Sequence, residues 1–145
     1  KKIKFNNKII HQSKLLNYFS DDMDSAKVEK ELEKKLKKIK KNKKYYFSTK
    51  DIILIESLIY DGIKISDKYS SILELYNSNI PTDIEVMLND GEMAMILLRL
   101  VEIIGEDDLN NLGSESLYFI LSTLNKLNID KIRNNIILKT FPLKV

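Results

Sequence analysis

Between Ser48 and Gly62 the chain reads STKDIILIESLIYDG, an apolar run with a marked beginning and a marked end. Ser48 or Thr49 can accept an amide at a helix N-terminus, and Gly62 can take the left-handed conformation just past a helix. A chain punctuated in this way folds into short helices joined by tight turns. The same grammar recurs downstream. Ser66 opens DKYSSILELY, and Thr82-Asp83-Ile84-Glu85 matches a capping box before a short helix through Met87 and Leu88. The turn Asn89-Asp90-Gly91 leads into EMAMILLRLVEII, which is apolar nearly all round, stops at Gly105 and is predicted to lie at the centre of the core. Ser114 opens ESLYFILSTLNKL, Asn128 breaks it, and Asp130 opens KIRNNIILKTF before Pro142. Near the N-terminus, NNKIIHQSKLLNYFSDD predicts one more short helix. No paired alternating segments meet at hairpin turns, so no strand is expected.

The fold class that follows is all-α, an array of about six to seven short antiparallel helices. An internal echo supports a repeat-like arrangement. Leu97, Leu98, Val101, Ile104, Gly105, Asp107 and Leu109 match Ile120, Leu121, Leu124, Leu127, Asn128, Asp130 and Ile132 at an offset of 23 residues. Shared helix grammar explains one such pair equally well, because a solenoid needs about three or more units.

Charge divides the chain. Residues 1–44 hold 15 Lys against 6 acids, and residues 45–145 hold 9 Lys or Arg against 15 acids. The expected organisation is a basic N-terminal helical arm over residues 1–47 and a compact acidic helical domain over 48–145. Within the arm, Asp22 or Asp24 can cap a helix whose Val28, Leu32, Leu36 and Ile39 form one narrow apolar stripe. One to two heptads fall short of a self-sufficient coiled coil, so the stripe needs a surface to cover it, in this chain or another. The stripe, with Tyr45 and Tyr46, is the expected docking surface for another protein or a second copy.

The same helix carries ten Lys and three Glu between Lys27 and Lys44. Lys34, Lys35, Lys37, Lys38, Lys40, Lys41, Lys43 and Lys44 are therefore candidate contacts to a nucleic acid or another anion. Two features weigh against specific recognition. Acidic residues precede the lysines along the axis, the order the helix dipole favours on any solvated helix. Lysine outnumbers arginine 22 to 2, whereas the guanidinium fork is the better tool for bidentate phosphate or base contacts.

Catalytic chemistry has little to start from. The lone histidine, His11, sits between Ile10 and Gln12 with no nucleophile at a telling spacing, which favours a surface or packing role. Cysteine is absent, which removes thiolate nucleophiles and cysteine-ligated metals. Glu106-Asp107-Asp108 lacks the spaced ligands and central glycine of an EF-hand. No metal and no cofactor is expected. Arg99 interrupts the most apolar helix, and Glu102 at i+3 or Glu92 two turns back is its expected partner in a structural ion pair.

No apolar run approaches the roughly 18 to 20 residues that cross a bilayer, so no transmembrane segment is expected. The chain starts at Lys1, which suggests a processed product or a piece of a longer protein, and a cytoplasmic setting is the working expectation. The function expected is a non-catalytic helical protein-interaction or assembly domain. Sequence-independent nucleic-acid binding through the lysine-rich helix is the alternative. An enzyme whose all-helical cleft no linear motif reveals stands third.

Overall fold

A computed structural model describes residues 3–71 and 108–143. Those residues are all-α, with four α-helices and no strand. Helix α1 spans Ser25–Lys41, α2 spans Thr49–Tyr60, α3 spans Ser114–Lys126 and α4 spans Asp130–Thr140. Short 3-10 turns cover Ile10–Gln12, Lys14–Tyr18, Asp67–Tyr69 and Asp108–Asn111. No helix among the described residues is long and apolar enough to cross a membrane.

Local chemistry sets the helix ends. At the start of α2 the Ser48 hydroxyl accepts the Asp51 N–H and the Asp51 carboxylate accepts the Ser48 N–H, a reciprocal capping box. At its end Gly62 has φ +89°, and its N–H reaches the Ile59 carbonyl while that of Ile63 reaches Leu58. Helix α3 ends in the same way: Asn128 has φ +56°, and the N–H groups of Asn128 and Ile129 reach the carbonyls of Asn125 and Leu124. Both are Schellman stops, in which a left-handed residue turns the chain back to satisfy the last free carbonyls. Helix α1 begins where the Asp24 carboxylate accepts the Lys27 N–H at 2.9 Å.

Three expectations shift. The segment predicted as one helix near the N-terminus forms two 3-10 turns, because Ser13 breaks it with an extended backbone. The Ser13 hydroxyl donates to the Ile10 carbonyl at 2.7 Å, a local bond that competes with helix propagation. Gly113 rather than Ser114 is the N-cap of α3, and Ile129 rather than Asp130 is that of α4. Asp130 instead lies in the first turn of α4, where its charge suits the helix dipole.

One apolar cluster joins all of these elements. It takes Ile10, Leu15, Leu16 and Phe19 from the N-terminal turns, Val28, Leu32 and Leu36 from α1, and Phe47 from the connection. Ile52 through Ile55 and Leu58 of α2 belong to it, as do Leu117, Ile120, Leu121 and Leu124 of α3 and Ile136 and Ile137 of α4. The change of charge near residue 45 therefore does not coincide with a break in the core. Helix α2 lies against both α3 and the Ile10–Gln12 turn, α3 lies against α4, and α1 covers the Lys14–Tyr18 turn. The capping box at Thr82–Glu85, the apolar helix expected over 92–104, the stop at Gly105 and most of the first copy of the echo lie outside the described residues. The count of six to seven helices and the repeat reading depend on them.

Candidate functional site

The stripe of α1 is covered by the chain itself. Val28, Leu32 and Leu36 are at most 1% exposed, and Ile39 packs partly buried against the same cluster. An i, i+4 apolar row on so charged a helix leaves mainly polar side chains for solvent. Lys34, Lys37, Lys38, Lys40, Lys41, Lys43 and Lys44 are all exposed. Lys35 differs: it is buried, its Nζ donates to the Asn7 carbonyl at 3.0 Å, and Glu31 Oε1 lies 3.7 Å away. Burial pushes its pKa below the ordinary lysine value; Glu31 opposes the shift, and Lys38 and Lys34 reinforce it.

The two tyrosines that follow α1 part company. Tyr46 is 79% exposed. The Tyr45 hydroxyl instead accepts the Ile10 N–H at 3.3 Å and donates to Asp51 Oδ2 at 3.0 Å, with its ring edge-on to Phe47 at 5.2 Å. Burial and the Asp51 charge push that phenol up to about 12.

Asp51 is the centre of the first buried polar hub. Its Oδ1 accepts the His11 backbone N–H at 3.0 Å and sits 2.6 Å from His11 Nδ1, while Oδ2 accepts from Tyr45 and from the Ser48 N–H. Burial pushes the Asp51 carboxyl up, but the His11 donors, the charge of that ring and the Ser48 amide outweigh it, so the carboxyl stays below its ordinary value. Ser48 Oγ also lies 3.2 Å from His11 Nδ1. The trio has the composition of a hydrolytic triad without its geometry. In a triad the serine meets Nε2 and the carboxylate meets Nδ1, whereas here both meet Nδ1. What the cluster does is pin the N-terminal turns to the start of α2.

Arg133 anchors the second hub and is fully buried. Its Nη1 and Nη2 grip the Asp61 carboxylate at 2.7 and 2.6 Å, and Nη1 also donates to Asn125 Oδ1 at 3.0 Å. Asn134 Oδ1 takes Nε and Nη2, and the guanidinium lies 5.7 Å from the Phe19 ring centre. The Tyr18 hydroxyl donates to Asp61 at 2.8 Å, and burial together with that carboxylate pushes it up to about 12. Asn125 Nδ2 donates onward to Ser57 Oγ at 3.2 Å. One guanidinium thus ties the N-terminal turns, the end of α2, α3 and α4 together, with the planar fork that bidentate carboxylate binding requires.

A third contact joins α2 to α3: the Tyr118 hydroxyl reaches both oxygens of Glu56, at 3.2 and 3.0 Å. Burial pushes the Glu56 carboxyl above its ordinary value, because Tyr118 and Lys126 do not offset the lost hydration.

Sequence reasoning did not single out Arg133, Asp61 or Asp51. Arg133 stands in the polar-looking stretch KIRNN, so it interrupts no apolar helix as Arg99 does. The available signal was scarcity: a chain with 22 Lys keeps only two Arg, and an arginine in such a background marks a place where a point charge does not suffice. The expected Arg99–Glu102 pair lies outside the described residues. Among the described residues no group of three or more His, Cys, Asp or Glu could hold a metal ion.

The class these features define is an all-α unit, pinned internally by polar hubs and presenting a lysine face on α1. No protein-family model, curated protein or solved structure matches the chain.

Proposed function

We propose that this chain is a non-catalytic helical binding domain that holds nucleic acid without sequence preference through the lysine face of α1. The observation that carries the reading is the partition of that helix. Its apolar row packs into the chain's own core, so its exposed lysines, with the exposed Tyr46 ring that follows the helix, are what this segment leaves for a partner. Lys34, Lys37, Lys38, Lys40, Lys41, Lys43 and Lys44 can neutralise phosphates, which gives affinity without base readout. Tyr46 offers a face on which an unpaired base can stack, a sequence-tolerant contact. The absence of arginine from this helix fits contacts to the backbone rather than to base edges. Fluorescence anisotropy with a labelled single strand and a mixed-sequence duplex across a salt series tests it. The expected result is binding at low salt whose logarithm falls with log salt at about −0.7 per phosphate contact on the single strand. No binding at low salt, or binding indifferent to salt, overturns it.

A second reading keeps the domain as a protein-interaction module, and a separate observation favours it. Ile59, Tyr60 and Leu127 are 43%, 50% and 38% exposed at the C-terminal ends of α2 and α3, and the Ser57–Asn125 bond holds those two helices together near these ends. Sedimentation equilibrium with Tyr60→Ser against the unmodified chain tests this reading for a second copy. A weaker self-association in the variant supports it, and a monomer in both cases removes it.

A further inference from the structure

The two flanks of α1 are built on opposite charge logic. On one side its acidic residues meet the segment after α2: Glu33 lies 3.6 Å from Lys68 Nζ, and Glu29 accepts the backbone N–H of Lys64 at 3.1 Å. On the other side lysines predominate. Lys34, Lys35 and Lys38, spaced to fall on one strip of the helix, line a groove of about 540 Å³ whose far wall carries Lys8 and Lys14 from the N-terminal turns. Glu31 is the single acidic residue lining it, and that carboxylate lies beside Lys35.

Five lysines line one concavity, and like charges brought near one another disfavour their charged forms. The opposite flank shows that this helix can also meet a neighbour through a matched pair, Glu33 with Lys68. A ligand that brings its own negative charge turns the repulsion into binding. We infer that the groove between α1 and the N-terminal turns, ringed by Lys8, Lys14, Lys34, Lys35 and Lys38, binds a compact oligophosphate anion.

Charge, shape and chemistry agree on that class. The lining carries five lysines against one glutamate, four net positive charges. A run of three phosphoryl groups carries on the order of four negative charges near neutral pH. The volume falls within the roughly 300 to 1,000 Å³ typical of small-ligand sites. Lysine binds phosphate as a point charge and needs no planar fork, so the lack of arginine is no obstacle here. Lys35 also gains: burial lowers its pKa, with Lys38 and Lys34 pushing the same way, and a bound anion acts in the opposite direction.

This site goes beyond strand binding, because Lys8 and Lys14 lie outside α1 and Lys37 and Lys41 of α1 lie outside the groove lining. Isothermal titration at low salt with inorganic tripolyphosphate therefore uses two double variants of exposed side chains, Lys8→Gln/Lys14→Gln and Lys37→Gln/Lys41→Gln. The expected result is saturable 1:1 binding, weakened at least about tenfold by the first pair and less than about threefold by the second. No saturable binding, or an equal loss in both pairs, overturns the site. A single-stranded oligonucleotide run in parallel separates the two ideas. Strand binding without tripolyphosphate binding overturns this inference alone, and tripolyphosphate binding without strand binding overturns the nucleic-acid reading alone.

Discussion

The buried polar hubs and the outer face of α1 use the same side-chain types to opposite ends. At Asp61 and Asp51 each carboxylate is surrounded by donors from several elements, and the charge is closed off inside the molecule. Along α1 the ammonium groups are gathered and left open. Matched charge joins elements that are distant in sequence; charge of one sign left on a surface keeps a protein soluble and attracts a partner of the opposite sign. The proposed function makes the hubs a source of stability and the exposed lysines of α1 a source of binding, and substitutions can separate the two.

The largest expected effect is at Arg133. Replacing it with Ala leaves the Asp61 carboxylate and the Asn125 side-chain oxygen without their guanidinium partner in a buried setting, and a loss of about 3–5 kcal/mol is expected in urea unfolding. A loss below about 1 kcal/mol would mean that the hub is not what holds α2, α3 and α4 together. Leu32→Ala follows, at about 2–4 kcal/mol, because it leaves a cavity where α1 enters the core. The same measurement decides whether α1 is part of the folded unit: if α1 were a projecting arm, this loss would be close to zero.

Two buried carboxylates sharpen the comparison through pH. The Asp51 carboxyl is held below its ordinary value, so its contribution is fully present above that value, near pH 3.8, and is lost as pH falls through the lower, folded-state value. Glu56 runs the other way. With its carboxyl raised, the folded state favours the protonated form, and stability falls as pH rises from the ordinary value near 4.5 through the raised one. Asp51→Asn should therefore cost about 1–3 kcal/mol at pH 7 and flatten the acid limb of the stability curve. Glu56→Gln, which keeps an acceptor for Tyr118 and removes the buried charge, should be neutral or stabilising at pH 7. Equal losses from both substitutions would show that the two sites do not differ as described. The smallest expected effect on folding is Lys37→Gln/Lys41→Gln, within about 0.5 kcal/mol per position.

What the sequence revealed follows the range of the interactions involved. The Ser48 start and the stops at Gly62 and Asn128 were legible because a cap is a bond between a side chain or a left-handed residue and its own neighbours in the chain. Ser13 misled for the same reason in reverse, since its hydroxyl takes a local carbonyl and splits an apolar run that is otherwise helical in spacing. The Val28, Leu32, Leu36 and Ile39 row was visible as a row, but what covers it was not, because its cover comes from distant segments. The pairing of Arg133 with Asp61 spans 72 residues and leaves no periodic trace. The groove was hidden likewise: five lysines in a lysine-rich chain carry little meaning until the fold sets two segments face to face.

The central claim is that α1 buries its apolar row to hold the fold and offers its lysines to a polyanion. The most direct test is the salt dependence of single-strand affinity for the unmodified chain and for Lys40→Gln/Lys41→Gln, with urea unfolding of both. The account predicts a log–log slope shallower by about 1.4, for two lost phosphate contacts, and no change in unfolding free energy beyond about 0.5 kcal/mol per position. An unchanged slope, or a loss of binding explained by a loss of stability, would contradict it.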